Sequence, residues 1–114
     1  MKIGVVGSRT FRDYDLMRNT LDAYDITEII SGGAAGADLL VERYAREKNI
    51  NLTIHDALWS TNEKSAGPIR NQKIVDDSDF IIAFWDGKSR GTASTIRIAR
   101  KDKKVVIIVH SEEI

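Results

Sequence analysis

The segment Ser31-Gly32-Gly33-Ala34-Ala35-Gly36-Ala37-Asp38 joins an apolar run, Ile26 to Ile30, of which Thr27 to Ile30 reads as a strand, to an amphipathic one, Leu39 to Lys48. A strand that stops in a glycine-rich turn and resumes as a helix aims unpaired backbone N–H groups at one point. The helix dipole adds positive potential there, and phosphate is the usual occupant. Gly32 and Gly33 permit tight dihedrals, and Gly36 removes a side chain where a ligand or a strand comes close. A Gly-Gly turn also serves packing alone, so the segment by itself carries both readings.

Two similar junctions shift the balance. Lys2 to Val6 reads as a buried strand ending at Gly7-Ser8-Arg9, and Asp79 to Trp85 as a buried strand ending at Asp86-Gly87-Lys88-Ser89-Arg90-Gly91-Thr92. Between them lie a helix capped by Asp13 or Asp15 with Leu16, Met17, Leu21 and Tyr24 on its apolar face, and a helix burying Ala37, Leu40, Val41 and Tyr44. Asn51 to His55 reads as a more polar strand near an edge. Asp56 to Gly67 is the longest irregular stretch and holds Trp59; a helix opens after it with Pro68 at its first position. Ala93, Ile96 and Ala99 mark the last helix and Val105 to Val109 the last strand.

Short strands alternating with helices predict an α/β fold: one three-layer domain over residues 1–114, with a parallel sheet of five strands covered on both faces. In such sheets ligands bind beyond the carboxyl ends of the strands, where strand order reverses. With the order 3-2-1-4-5, the three Gly/Ser loops follow neighbouring central strands and converge on one crevice.

The 17 basic and 17 acidic residues balance, which argues against a protein that wraps long nucleic acid by charge alone. The absence of cysteine excludes disulfides, thiolate metal sites and cysteine nucleophiles. The strand pattern at Met1 leaves no room for a signal peptide, and no apolar run reaches the roughly 20 residues of a membrane span. A soluble, cytoplasmic protein is the expectation. His55 and His110 lie far apart with no carboxylate pattern, so no metal site is expected. Neither an NTPase P-loop nor a nucleophile elbow is present.

Several residues suit an anionic ligand. Ser8 and Arg9 offer a hydroxyl and a guanidinium at the ligand edge of the first strand. Asp38 either complements a helix dipole or accepts from ribose hydroxyls or a base edge. Ser89, Gly91 and Thr92 resemble a second phosphate cradle, compatible with ordinary N-capping. Arg70 and Asn71 open the third helix, as a solvated charge and a loop tie or as site residues. Trp59 stacks on a base or lids the core.

Four motifs together are specific: Gly7-Ser8-Arg9-x-Phe11-x-Asp13, Ser31-Gly32-Gly33-Ala34-x-Gly36-Ala37-Asp38, Trp59 followed by Ala66-Gly67-Pro68-x-Arg70-Asn71, and Phe84-Trp85-Asp86-Gly87-x-Ser89-x-Gly91-Thr92. In this set the chain resembles the YspA-like branch of the SLOG superfamily, which also holds the LOG phosphoribohydrolases and the DNA-processing protein DprA. The resemblance spans nearly the whole chain. It implies a Rossmann-like fold that binds nucleotides or derivatives of ADP-ribose type. By position it nominates Gly7, Ser8, Arg9, Gly32, Gly33, Gly36, Asp38, Trp59, Arg70, Asn71, Asp86, Ser89, Gly91 and Thr92 as ligand-binding residues, with Arg70 matching the family's catalytic arginine. The phosphoribohydrolases carry Pro-Gly-Gly-x-Gly-Thr-x-x-Glu at the fourth-strand junction. Here Trp85-Asp86-Gly87-Lys88-Ser89 replaces the first part, and Thr95 stands in the place of the glutamate. Threonine supplies no carboxylate to stabilise an oxocarbenium-like centre or to activate water.

The expectation is therefore a binding module, a sensor or sequestering protein for a nucleotide-derived ligand, without cofactor or metal. A nucleotide hydrolase is the alternative, with Asp13, Asp38 or Asp86 in place of the lost glutamate. Single-stranded DNA, by analogy with DprA, ranks third because the charge is neutral, and nucleic acid is not expected as a partner. Apolar residues left on the helix faces lead us to expect self-association.

Overall fold

A computed structural model of the chain describes residues 1–56 and 66–111. Five strands, β1 (Lys2–Gly7), β2 (Glu28–Ser31), β3 (Asn51–Ile54), β4 (Phe80–Trp85) and β5 (Val106–His110), form one sheet in the order β3-β2-β1-β4-β5. Every pairing is parallel; Gly4 on β1, for example, aligns with Ile30 on β2 and Ile81 on β4. Four helices are seen among the described residues: α1 (Tyr14–Leu21), α2 (Ala37–Lys48), α3 (Ala66–Asp77) and α4 (Arg90–Lys101).

The strand order is the one the loop pattern predicts, and burial explains it. Strands covered on both faces read as continuous apolar runs, and β1 and β4 are buried through their middles. β3 and β5 are half-buried edges. Side chains alternate along each central strand. Ile3, Val5, Ile29, Ile82 and Phe84 meet Met17 and Leu21 of α1 and Val41 and Tyr44 of α2. Val6, Ile30, Ile81 and Ala83 point the other way, onto Ile74 and Val75 of α3 and Ile96 and Ala99 of α4.

Local signals fix the helix ends. Asp13 caps α1, its carboxylate accepting the Leu16 N–H at 3.1 Å. α1 stops at Leu21, so Tyr24 lies beyond it and packs its ring 5.4 Å from that of Phe80. α3 starts at Ala66, which places Pro68 inside the first turn instead of at its first position; the N–H it lacks has no intrahelical partner there either. The Lys104 ammonium closes the other end of α3 by donating to the carbonyls of Val75 and Ser78 at 2.5 and 2.7 Å. β5 begins one residue later than the pattern suggests. No helix among the described residues is long and apolar enough to cross a membrane.

Candidate functional site

The loops after β1, β2 and β4 meet over the carboxyl edge of the sheet and enclose a cavity of about 410 Å³. The starts of α2, α3 and α4 contribute Asp38, Arg70 and Asn71, and Ser89 to Thr92 to its wall. This is the crevice that a strand order reversing at β1 produces.

Ser8 fastens the floor. It is buried, its N–H donates to the Phe84 carbonyl at 3.0 Å, and its own carbonyl accepts from Phe11 at 3.1 Å and Ala37 at 3.2 Å. Its hydroxyl accepts the Asp86 N–H at 3.1 Å. One residue thus ties the β1 loop to the α2 start and to the β4 loop, and its hydroxyl is committed to that joint.

Arg70 crosses from α3 to the end of β2. Its Nη1 donates to the Gly32 carbonyl at 3.1 Å and its Nε to the Asn71 Oδ1 at 2.9 Å. Asn71, itself buried, faces the Gly91 carbonyl at 3.5 Å through its Nδ2. Gly32 permits this approach, since a Cβ there would stand 2.5 Å from Arg70 Nη1. Asp38 is buried beside the pair and accepts the Ala34 N–H at 3.0 Å. Burial pushes its carboxyl above the usual range; the Ala34 amide, the Arg70 charge and the Ser31 hydroxyl pull in the opposite direction.

The β4 loop is built around Asp86. Its carboxylate accepts from the N–H groups of Lys88 and Ser89 at 2.8 and 2.9 Å, and these bonds hold it below the ordinary carboxylate value. Ser89 caps α4, meeting the Thr92 hydroxyl at 3.1 Å. Thr95, buried in the cavity wall, donates to the Gly91 carbonyl at 3.3 Å.

Two guanidiniums remain. Arg9 and Arg90 line the cavity, and neither side chain makes a hydrogen bond or ion pair among the described residues. α4 has no acidic residue in its first turn, so the positive helix end and Arg90 stand together. A site of this make-up favours an anion.

Of the fourteen nominated residues, the cavity wall gathers Gly7, Ser8, Arg9, Gly32, Asp38, Arg70, Asn71, Asp86, Ser89, Gly91 and Thr92. Gly33 is turned toward β3, where a Cβ would meet Ile54 at 2.8 Å. Gly36 is pressed against the Ser8 and Arg9 carbonyls. Trp59 lies outside the described residues. Arg90 and Thr10 are wall residues that the motifs leave as spacers, although each sits inside or beside a nominated loop. Asp13, a candidate carboxylate, is the α1 cap and is absent from the wall. Among the described residues no cluster of His, Asp and Glu could hold a metal ion.

A family model described as YspA, cpYpsA-related SLOG family matches residues 1–61. No curated protein matches the chain. Among solved structures, DNA processing protein A from Helicobacter pylori, in a study of its single-stranded DNA binding mode, has a TM-score of 0.73 at 21% identity. The alignment covers 98% of this chain and 66% of that one, so the chain spans just under two thirds of its neighbour's length. This neighbour corrects the expectation that nucleic acid is not a partner: a protein of the same fold binds it. The inference from zero net charge failed because net charge sums the whole surface, whereas a ligand meets the local field, here that of Arg9, Arg70 and Arg90. By a match that covers more than half its length, on a Rossmann-like sheet in the order 3-2-1-4-5, the chain belongs to the YspA, cpYpsA-related SLOG family.

Proposed function

We propose that the cavity binds a nucleotide or a nucleotide-derived ligand of ADP-ribose type, and that the protein acts as a module that senses or sequesters it. One observation carries this reading: three guanidiniums and three helix starts converge on the cavity, while Asp38 and Asp86, the carboxylates in its described wall, accept backbone N–H groups. Phosphates sit against Arg9, Arg90 and the start of α4. Arg70, held by Gly32 and Asn71, presents its remaining N–H groups deeper in. Asp38 lies where a ribose hydroxyl or base edge can donate to it. The volume is within the range of small-ligand sites.

Binding is favoured over hydrolysis because Thr95 offers only a hydroxyl, and that hydroxyl donates to Gly91. A second reading is supported by the structural neighbour: the occupant is a terminal nucleotide of single-stranded nucleic acid, which presents the same phosphate, sugar and base.

Native mass spectrometry of the purified protein, then analysis of any small molecule released on denaturation, is the test, followed by a nucleotide panel scored for binding and turnover. An intact nucleotide bound by the native protein and weakened at least tenfold in the Arg9→Ala/Arg90→Ala variant is expected. Free base released catalytically, and lost in Arg70→Ala, overturns the binding-module reading.

A further inference from the structure

Charge is segregated along this chain. Residues 88–104 hold seven of the 17 Lys and Arg side chains and one of the 17 Asp and Glu. Most of that segment is α4, whose buried face is Thr92, Thr95, Ile96 and Ala99. At 100° per residue, Arg90, Arg97 and Lys101 fall within a narrow stripe on the opposite side of the helix. All three are exposed, and none makes a hydrogen bond or ion pair among the described residues. Helix rise separates Arg90 from Arg97 by about 10 Å and Arg97 from Lys101 by about 6 Å. Lys101 suits the carboxyl end of the dipole, but Arg97 has no such local role and Arg90 opposes the dipole. The stripe begins at the cavity, since Arg90 lines both.

We propose that the outer face of α4 is a track for single-stranded nucleic acid whose terminal nucleotide occupies the cavity, with Arg97 and Lys101 meeting successive phosphates outside it. The proposal rests on the reading of the cavity as a nucleotide site for where the strand ends, and on the stripe for the rest. A helix face bearing in line three cations that are unpaired among the described residues matches a chain of successive anions better than a single compact anion.

The test is fluorescence anisotropy with labelled thymidylate dinucleotide and with an oligothymidylate of about 12 nucleotides, within the range of single-strand grooves. Both are titrated over a salt series, with oligouridylate as the RNA arm. The long strand is expected to bind at least tenfold tighter than the dinucleotide. Arg97→Ala/Lys101→Ala should remove that gain, lower the salt slope by about 0.7 for each phosphate no longer neutralised, and leave the dinucleotide unchanged. Equal affinity for both lengths, or an unchanged salt slope in the double variant, overturns the track. Arg9→Ala should weaken the dinucleotide and the long strand alike, which assigns the strand end to the cavity; an unchanged long strand in that variant overturns this placement. A long strand that binds through Arg97 and Lys101 while no mononucleotide or dinucleotide binds upholds the stripe and defeats the cavity reading.

Discussion

Arg70 Nη1 donates to the carbonyl oxygen of Gly32 at 3.1 Å, across the gap between α3 and the end of β2. The bond needs a residue without a side chain at position 32, because a Cβ would stand 2.5 Å from the donor and 3.2 Å from Asp38 Oδ2. Gly32→Ala is therefore expected to displace the Arg70 head while leaving the fold intact, since the far end of a flexible side chain can move. Nucleotide affinity should fall about tenfold, the scale of one charge-assisted hydrogen bond. Calorimetric titration checks the affinity, and thermal unfolding checks that stability changes by less than about 1 kcal/mol.

Asp38 gives the site a pH dependence of defined sign. Burial raises its carboxyl above the usual range. As pH falls through that raised value the carboxylate is neutralised, the ribose hydroxyl or base-edge donor loses its charged acceptor, and nucleotide affinity should fall. The folded state also takes up the proton more readily than the unfolded chain, so stability rises over the same window. Asp38→Asn should bind the nucleotide more weakly at neutral pH and lose this part of the pH dependence. Affinities measured from pH 4 to pH 8 on both proteins test it.

Gly36 answers to backbone and not to ligand. Its φ is +71°, and a Cβ would collide with the carbonyl oxygens of both Arg9 and Ser8. The Ser8 carbonyl cannot swing away, because it is bonded to Phe11 and Ala37 while the Ser8 amide is bonded to Phe84. Gly36→Ala should cost about 2 kcal/mol or more, from the positive φ and the backbone collision together. Chemical denaturation reads this as a lower midpoint.

Asp86 is an acid-sensitive element of the β4 loop. The Lys88 and Ser89 N–H groups hold its carboxyl below the ordinary 3.8. A group held low in the folded state contributes stability that is present above its unfolded value and lost as pH falls through the folded one. In Asp86→Asn, melting temperature should depend less on pH below 3.8 than in the parent protein, as a melting series in acid will show.

Strand order could be read from the chain because its cause is written there. Continuous apolar runs such as Phe80 to Phe84 mark two-faced burial, and the more polar Asn51 to Ile54 marks an edge. Three glycine and serine loops at strand ends then locate the crevice. What the sequence withholds is where a loop side chain points. Ser8 and Asp86 have the chemistry of ligand-binding groups, yet their hydrogen bonds go to loop backbone. Arg90 looks like a spacer between Ser89 and Gly91 but reaches the wall. Gly36 has the permissiveness of a phosphate-loop glycine, and its neighbours are two carbonyls. Such directions depend on distant partners, Phe84 for Ser8 and Gly32 for Arg70, that no local pattern encodes.

The joint at Ser8 bears on how selectivity can be redesigned. Because its amide, carbonyl and hydroxyl all bind neighbouring loops, changes at Ser8 alter the frame of the crevice before they alter its chemistry. Arg9, Thr10 and Arg90 stand on that frame at exposed positions. A library that randomises these three and spares Ser8 explores different ligands on one unchanged scaffold.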